Sequence, residues 1–185
     1  MTATTTSTRT TLPPVTPVAR LALKSLTGSG LLDGAWWPRS RDLAAELPAL
    51  ADVLDPLWGR ITRVAVNPMF WPVVPRKVAI RDRVLKVGWF TPELDPHKLL
   101  LLSYSTGRWD LLVIPPETGA AAAARLMAAA CAVDGPALTA TDFIAAETAR
   151  HHDVAEGDRL QSAQAWWEYE GGAASTRAVA TAAGR

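Results

Sequence analysis

Three short stretches of this sequence set tryptophan beside proline and arginine: Trp36-Trp37-Pro38-Arg39-Ser40-Arg41, Phe70-Trp71-Pro72-Val73-Val74-Pro75-Arg76-Lys77 and Gly107-Arg108-Trp109-Asp110. An arginine guanidinium can lie over an indole face and still fork toward a carboxylate or phosphate. Gathered around one cleft with Trp89 and His97, these groups would recognise a planar or anionic ligand. The competing reading is structural: the indoles fill the core and the arginine stems lie across them, because large aromatic side chains are mostly buried.

A second cluster is basic. Arg76, Lys77, Arg81, Arg83 and Lys86 fall within eleven residues, with Asp82 the one acid among them. Cations for phosphate and the nearby Trp71, Trp89 and Phe90 for bases would make a nucleic-acid surface. A solvated hairpin face would have the same composition, and no named nucleic-acid motif is present. The charge is also uneven along the chain. Residues 1–133 carry a net +5, residues 134–170 a net −6, and the whole chain +1. The acidic segment could therefore fold back over the basic strip as a built-in cover.

Catalytic chemistry is harder to place. His97 is the one histidine of the expected folded body, and Asp110 opens the strand after it. Antiparallel pairing of those two strands could bring His97 and Asp110 together. A triad needs three groups in geometry, and Ser103 and Ser105 are generic, so no catalytic residue is assigned and enzymatic activity stays open. A cap at a strand end is the alternative role for His97. His151, His152 and Asp153 are adjacent, so a helix would point them apart. No metal site or cofactor follows from the sequence. Gly28-Ser29-Gly30-Leu31-Leu32-Asp33-Gly34 lacks dinucleotide or P-loop spacing and reads as a turn. Cys131 is the single cysteine, which excludes a disulfide framework, and its alanine-rich setting reads as a small buried hydrophobe.

The elements that would position these groups follow from periodicity. Val18–Lys24 alternates as a strand with one buried face. Leu43, Leu47, Leu50, Leu54 and Leu57 recur at helical steps after a Ser40 cap, with Pro48 predicting a kink or two short helices. Strands follow over Ile61–Val66, Val78–Ile80, Val84–Phe90, Lys98–Tyr104 and Trp109–Ile114, with a hairpin at Arg81-Asp82-Arg83. The leucine-rich Lys98–Tyr104 strand is expected at the centre of the sheet, covered on both faces. An alanine-rich helix spans Thr118–Val133, and shorter helices are expected over 141–150 and 158–169.

The chain of 185 residues suits one domain over 18–133, a disordered tail over 1–17, an acidic and partly helical segment over 134–170 and a second disordered tail over 171–185. The N-terminus has no signal-peptide pattern and no apolar run is long enough for a membrane. A cytoplasmic location and no membrane partner are expected. A homo-oligomer is compatible with the sequence.

Taken together, Leu32-Asp33-Gly34-Ala35-Trp36-Trp37-Pro38-Arg39-Ser40, Ile61-Thr62-Arg63-Val64 with Asn67 and Trp71-Pro72, Val87-Gly88-Trp89-Phe90, Asp95-Pro96-His97-Lys98-Leu99-Leu100-Leu101-Leu102 and Gly107-Arg108-Trp109-Asp110-Leu111-Leu112-Val113-Ile114-Pro115-Pro116 resemble an uncharacterised actinobacterial family catalogued as a domain of unknown function. The resemblance covers roughly 18–133. It implies an actinobacterial source and no activity.

The expected fold is α+β: an antiparallel sheet of about five strands with helices packed on one face, an order similar to the helix-grip arrangement. The expected function is a non-enzymatic binding or regulatory protein using a Trp/Arg-rich surface or cleft. Two alternatives stand beside it: a helix-grip small-molecule pocket lined by the indoles, and nucleic-acid binding through residues 76–86. The direction in which the tryptophans point separates the three.

Overall fold

The run Leu99–Leu102 lies at the middle of the fold. The computed structural model, which describes residues 17–25, 30–91, 93–104, 107–133, 135 and 137–179, places it in β6 (Lys98–Ser103), fourth of seven strands. The others are β1 (Leu21–Leu23), β2 (Gly34–Trp36), β3 (Ile61–Val66), β4 (Lys77–Ile80), β5 (Arg83–Trp89) and β7 (Arg108–Val113), joined in the order β1-β2-β7-β6-β3-β5-β4. β2 pairs with β7 and β3 with β5 in parallel, while the remaining neighbours are antiparallel. The sheet is thus larger than the five antiparallel strands expected, and mixed. Its parallel pairs arise because β2 lies beside β7, far along the chain, and because the β4–β5 hairpin sets β5 between β3 and β4, and strand periodicity encodes neither.

Strand alternation sorts side chains onto two faces. Leu99, Leu101, Leu111, Val113, Val64, Val66, Leu85 and Val87 pack against helix α1 (Leu43–Trp58). The stripe Leu43, Leu47, Leu50, Leu54, Trp58 meets them, with Leu57 turned out to solvent and Trp58 buried in its stead. Asp42, not Ser40, caps α1: its Oδ1 accepts from the Ala44 and Ala45 N–H groups at 2.9 and 3.3 Å. Pro48 and Pro56 both sit inside α1, which continues through them as one helix. The carbonyls they orphan belong to Ala44 and Asp52, both exposed residues on the solvent side of the helix.

The opposite face is covered over one half only. Leu112, Ile114 and Ala35 form a second core with Ala123, Leu126 and Ala130 of α2 (Ala120–Ala130) and Ala140 and Phe143 of α3 (Ala140–Val179). Helices therefore pack on both faces, not one. Across β6, β3, β5 and β4 this second face is open, so β6 is covered fully on one face alone, with Leu100 and Leu102 half-buried.

α3 is one helix of 40 residues where two short ones were expected, and it runs on past residue 170. Thr139 and Asp142 exchange hydrogen bonds at its start, a capping box with aspartate in the third position. Asp95, from the loop before β6, accepts from the Thr141 N–H and hydroxyl at 3.0 and 2.8 Å and from the His97 N–H at 2.8 Å. The tails over 1–16 and 180–185, residues 26–29, which include Gly28 and Ser29 of the glycine-rich turn, and Ser105 lie outside the described residues.

Candidate functional site

Most of the tryptophans point inward. Trp36 and Trp71 are buried and stack at 5.9 Å. Trp109 stacks on the buried Trp58 at 4.9 Å, with the rings within 1° of parallel. Trp37 lies on the other face beneath Arg20, whose guanidinium is 3.5 Å from the ring centroid and donates to the Trp37 and Pro38 carbonyls. Alternation thus splits the Trp36-Trp37 and Arg108-Trp109-Asp110 stretches across the sheet. They do not converge on one cleft, and Arg39 is exposed apart from them.

Arg41 and His97 do come together, around Phe70. The Arg41 guanidinium grips Glu117 with two hydrogen bonds of 2.8 Å and donates to the Phe70 carbonyl at 2.8 Å. The His97 ring lies 4.6 Å from the Phe70 ring. Burial holds the His97 imidazole below its ordinary range, with Asp95 and the Val113 backbone working against it and the Arg41 charge with it. The space enclosed by Pro38, Arg41, Phe70, Trp71 and His97 is about 10 Å³, room for one water and no organic ligand. Asp110 is not part of this group. β6 and β7 do pair antiparallel, but Leu100 faces Asp110, and the His97 carbonyl accepts from Val113 at 2.7 Å. Asp110 instead meets Arg108 at 3.1 Å and Lys98 at 3.6 Å.

The basic strip divides by partner. Arg81, in the left-handed region at φ 50, pairs with Asp52 of α1 at 2.9 Å. Arg83 is pulled under the sheet end, bonded to Asp55 and the Ile61 carbonyl, with its side chain 9% exposed. Arg76 sits 5.6 Å from the Trp89 ring at the sheet rim. Lys77 and Lys86 remain, directly opposite each other on β4 and β5, both exposed.

Register extends that pair into a line. Lys86 lies beside Arg63 on β3, Arg63 beside Leu102 on β6, and Leu102 beside Arg108 on β7. Side chains in register share a face, so Lys77, Lys86, Arg63 and Arg108 form one transverse row that crosses the open half of the sheet and ends at the exposed start of β7. Four strand spacings make it about 19 Å long. Among the described residues, Lys77, Lys86 and Arg63 have no carboxylate partner. The acidic α3 leaves them exposed, for it packs on α2 and β7. The floor is Ala65, Gly88, Leu100 and Leu102, with Phe90 and Tyr104 exposed at its ends. Phe90 curls over Gly88, where an added Cβ would stand 3.9 Å from its ring.

Arg63 and Tyr104 are the residues of this face that local reading passes over, while Phe90 is already marked beside the basic strip. Arg63 stands on the outward phase of the Ile61–Val66 alternation, which marks it as exposed. Its alignment with Lys86 depends on a parallel pairing across an intervening hairpin.

The described residues contain no group of three metal-binding side chains and no helix long and apolar enough to cross a membrane. No curated protein and no solved structure matches the chain. Residues 20–130, which hold the whole sheet and the row, match the family of unknown function DUF5994. α3 lies beyond the matched stretch, and the chain belongs to that family.

Proposed function

We propose that this chain is a cytoplasmic, non-enzymatic binding protein whose recognition surface is the open half of the sheet and whose partner is an extended anion. The observation that carries the reading is the transverse row Lys77–Lys86–Arg63–Arg108. Like charges in register destabilise a sheet, and three of these have no described counter-charge, so an anion would complete the face. The space among Arg41, Phe70, Trp71 and His97 is too small for an organic ligand, so the indole and arginine groups gathered there offer no competing binding site.

The test is titration with long-chain inorganic polyphosphate at 50 and 200 mM salt. Salt-sensitive binding that falls at least tenfold in Arg63→Ala/Lys86→Ala, with the melting temperature held or raised, is the expected result. Equal binding by the double variant overturns the reading, as does no binding by the wild type.

A further inference from the structure

We infer that the anion is a single-stranded nucleic acid, its backbone along the cation row and its bases on Phe90 and Tyr104. The inference rests on the proposed anion reading and adds the chemical class. Three features of the open face favour a single strand over other polyanions.

The first is aromatic placement. Phe90 directly follows β5, and its ring lies 3.9 Å from where a Cβ on Gly88 would stand, which puts it on the same face as Lys86, with 55% of the residue exposed. Tyr104, 87% exposed, stands two residues beyond Leu102 and lines a groove with Val84, Thr62 and Arg60 on the other side of the row. A cationic track with exposed rings on either side is the arrangement that binds unpaired bases, because every base has a π-face.

The second is the floor. Leu100 and Leu102 are half-buried and lie between the cations and the rings. Bases laid flat would cover them. A duplex keeps its bases stacked inside and meets a flat face with phosphates alone, leaving the leucines and both rings wet.

The third is Gly88 itself. It sits on the face in register with Ala65 and Leu100. Lacking a side chain, it leaves bare backbone beside the Phe90 ring, and a residue larger than alanine would occupy the platform. An acidic peptide, including α3 from a second copy, would answer the cations and leave this flat aromatic platform without a role.

The experiment is fluorescence anisotropy with a labelled twelve-nucleotide single strand, the same sequence as a duplex, and a peptide of residues 150–169 as competitor. The single strand is expected to bind at least tenfold tighter than the duplex. The slope of log affinity against log salt should be about −3 for four phosphate contacts. Phe90→Ala and Tyr104→Ala should each weaken the single strand roughly fivefold to a hundredfold and leave inorganic polyphosphate binding unchanged. Phe90→Leu, which keeps the cover over Gly88, separates stacking from folding and should also weaken it. If the duplex binds equally, or Phe90→Leu and Tyr104→Ala are silent while polyphosphate still binds through the row, the nucleic-acid inference is overturned and the anion reading stands. If the acidic peptide displaces the single strand at a lower concentration than unlabelled single strand does, the partner is a protein. No polyphosphate binding removes both.

Discussion

Arg63 and Lys86 stand side by side on parallel strands β3 and β5, two exposed cations in register with no described carboxylate near either. A sheet selected for stability alone would place opposite charges there. Replacing Lys86 by glutamate creates that pair and a second with Lys77 across β4. Lys86→Glu should raise the melting temperature by about 1–3 °C while abolishing polyphosphate binding. A thermal scan beside a binding titration checks both, and a fall in both would mean the row is structural.

Asp55 has the opposite character. It accepts from the Ile61 N–H at 2.8 Å and from Arg83, whose side chain is nearly buried. Asp55→Ala strands that charge and should cost about 2–4 kcal/mol, reduced from a fully buried pair because Asp55 is partly exposed. Removing the charge as well, in Asp55→Ala/Arg83→Met, should recover more than half. Urea denaturation of the wild type, the single and the double variant gives the comparison.

His97 predicts a pH dependence. Burial depresses its folded pKa below the unfolded value of about 6.5, so the unfolded chain takes up the proton first. Its contribution is fully present above that value and is lost as pH falls below it. Stability should decline from pH 7 to 5, and His97→Phe, which keeps a ring against Phe70, should flatten the decline. An unchanged profile would show that another group titrates there.

Asp95 fastens α3 to the sheet. Burial pushes its carboxyl up, but hydrogen bonds from Thr141 and the His97 N–H outweigh this and hold it below the usual range. Asp95→Ala should cost about 1–2 kcal/mol, with faster amide exchange at the first turn of α3. The same tether weakens in the wild type as acid protonates Asp95, so the exchange difference should narrow at low pH.

The strands from Ile61 to Ile114, the hairpin at Arg81-Asp82 and the leucine-rich centre were legible because alternation and turn chemistry are local. The mixed sheet was not, since nothing in the period of Gly34–Trp36 or Arg83–Trp89 names a parallel neighbour. The basic strip shows the same limit. Five cations in eleven residues look equivalent in sequence. Asp52 and Asp55 of α1 engage Arg81 and Arg83, and Arg63, outside the strip, takes their place on the open face. Continuity of α3 was missed because the sequence carries no single apolar stripe over 140–169. Past His152 it exposes Val154, Leu160, Trp166, Trp167 and Tyr169.

That last stretch gives the molecule two optical populations of indole. Trp36, Trp58 and Trp71 are sealed in the core, while Trp166 and Trp167 are 65% and 78% exposed on a helix whose part from residue 153 to 169 alone is about 25 Å long. Emission at long wavelength, and the share of it that a soluble quencher removes, reports chiefly on the end of α3. A partner on the open face of the sheet would leave Trp166 and Trp167 exposed, and one that grasped the helix would shield them. The protein's own fluorescence therefore distinguishes which end has been engaged, without a label.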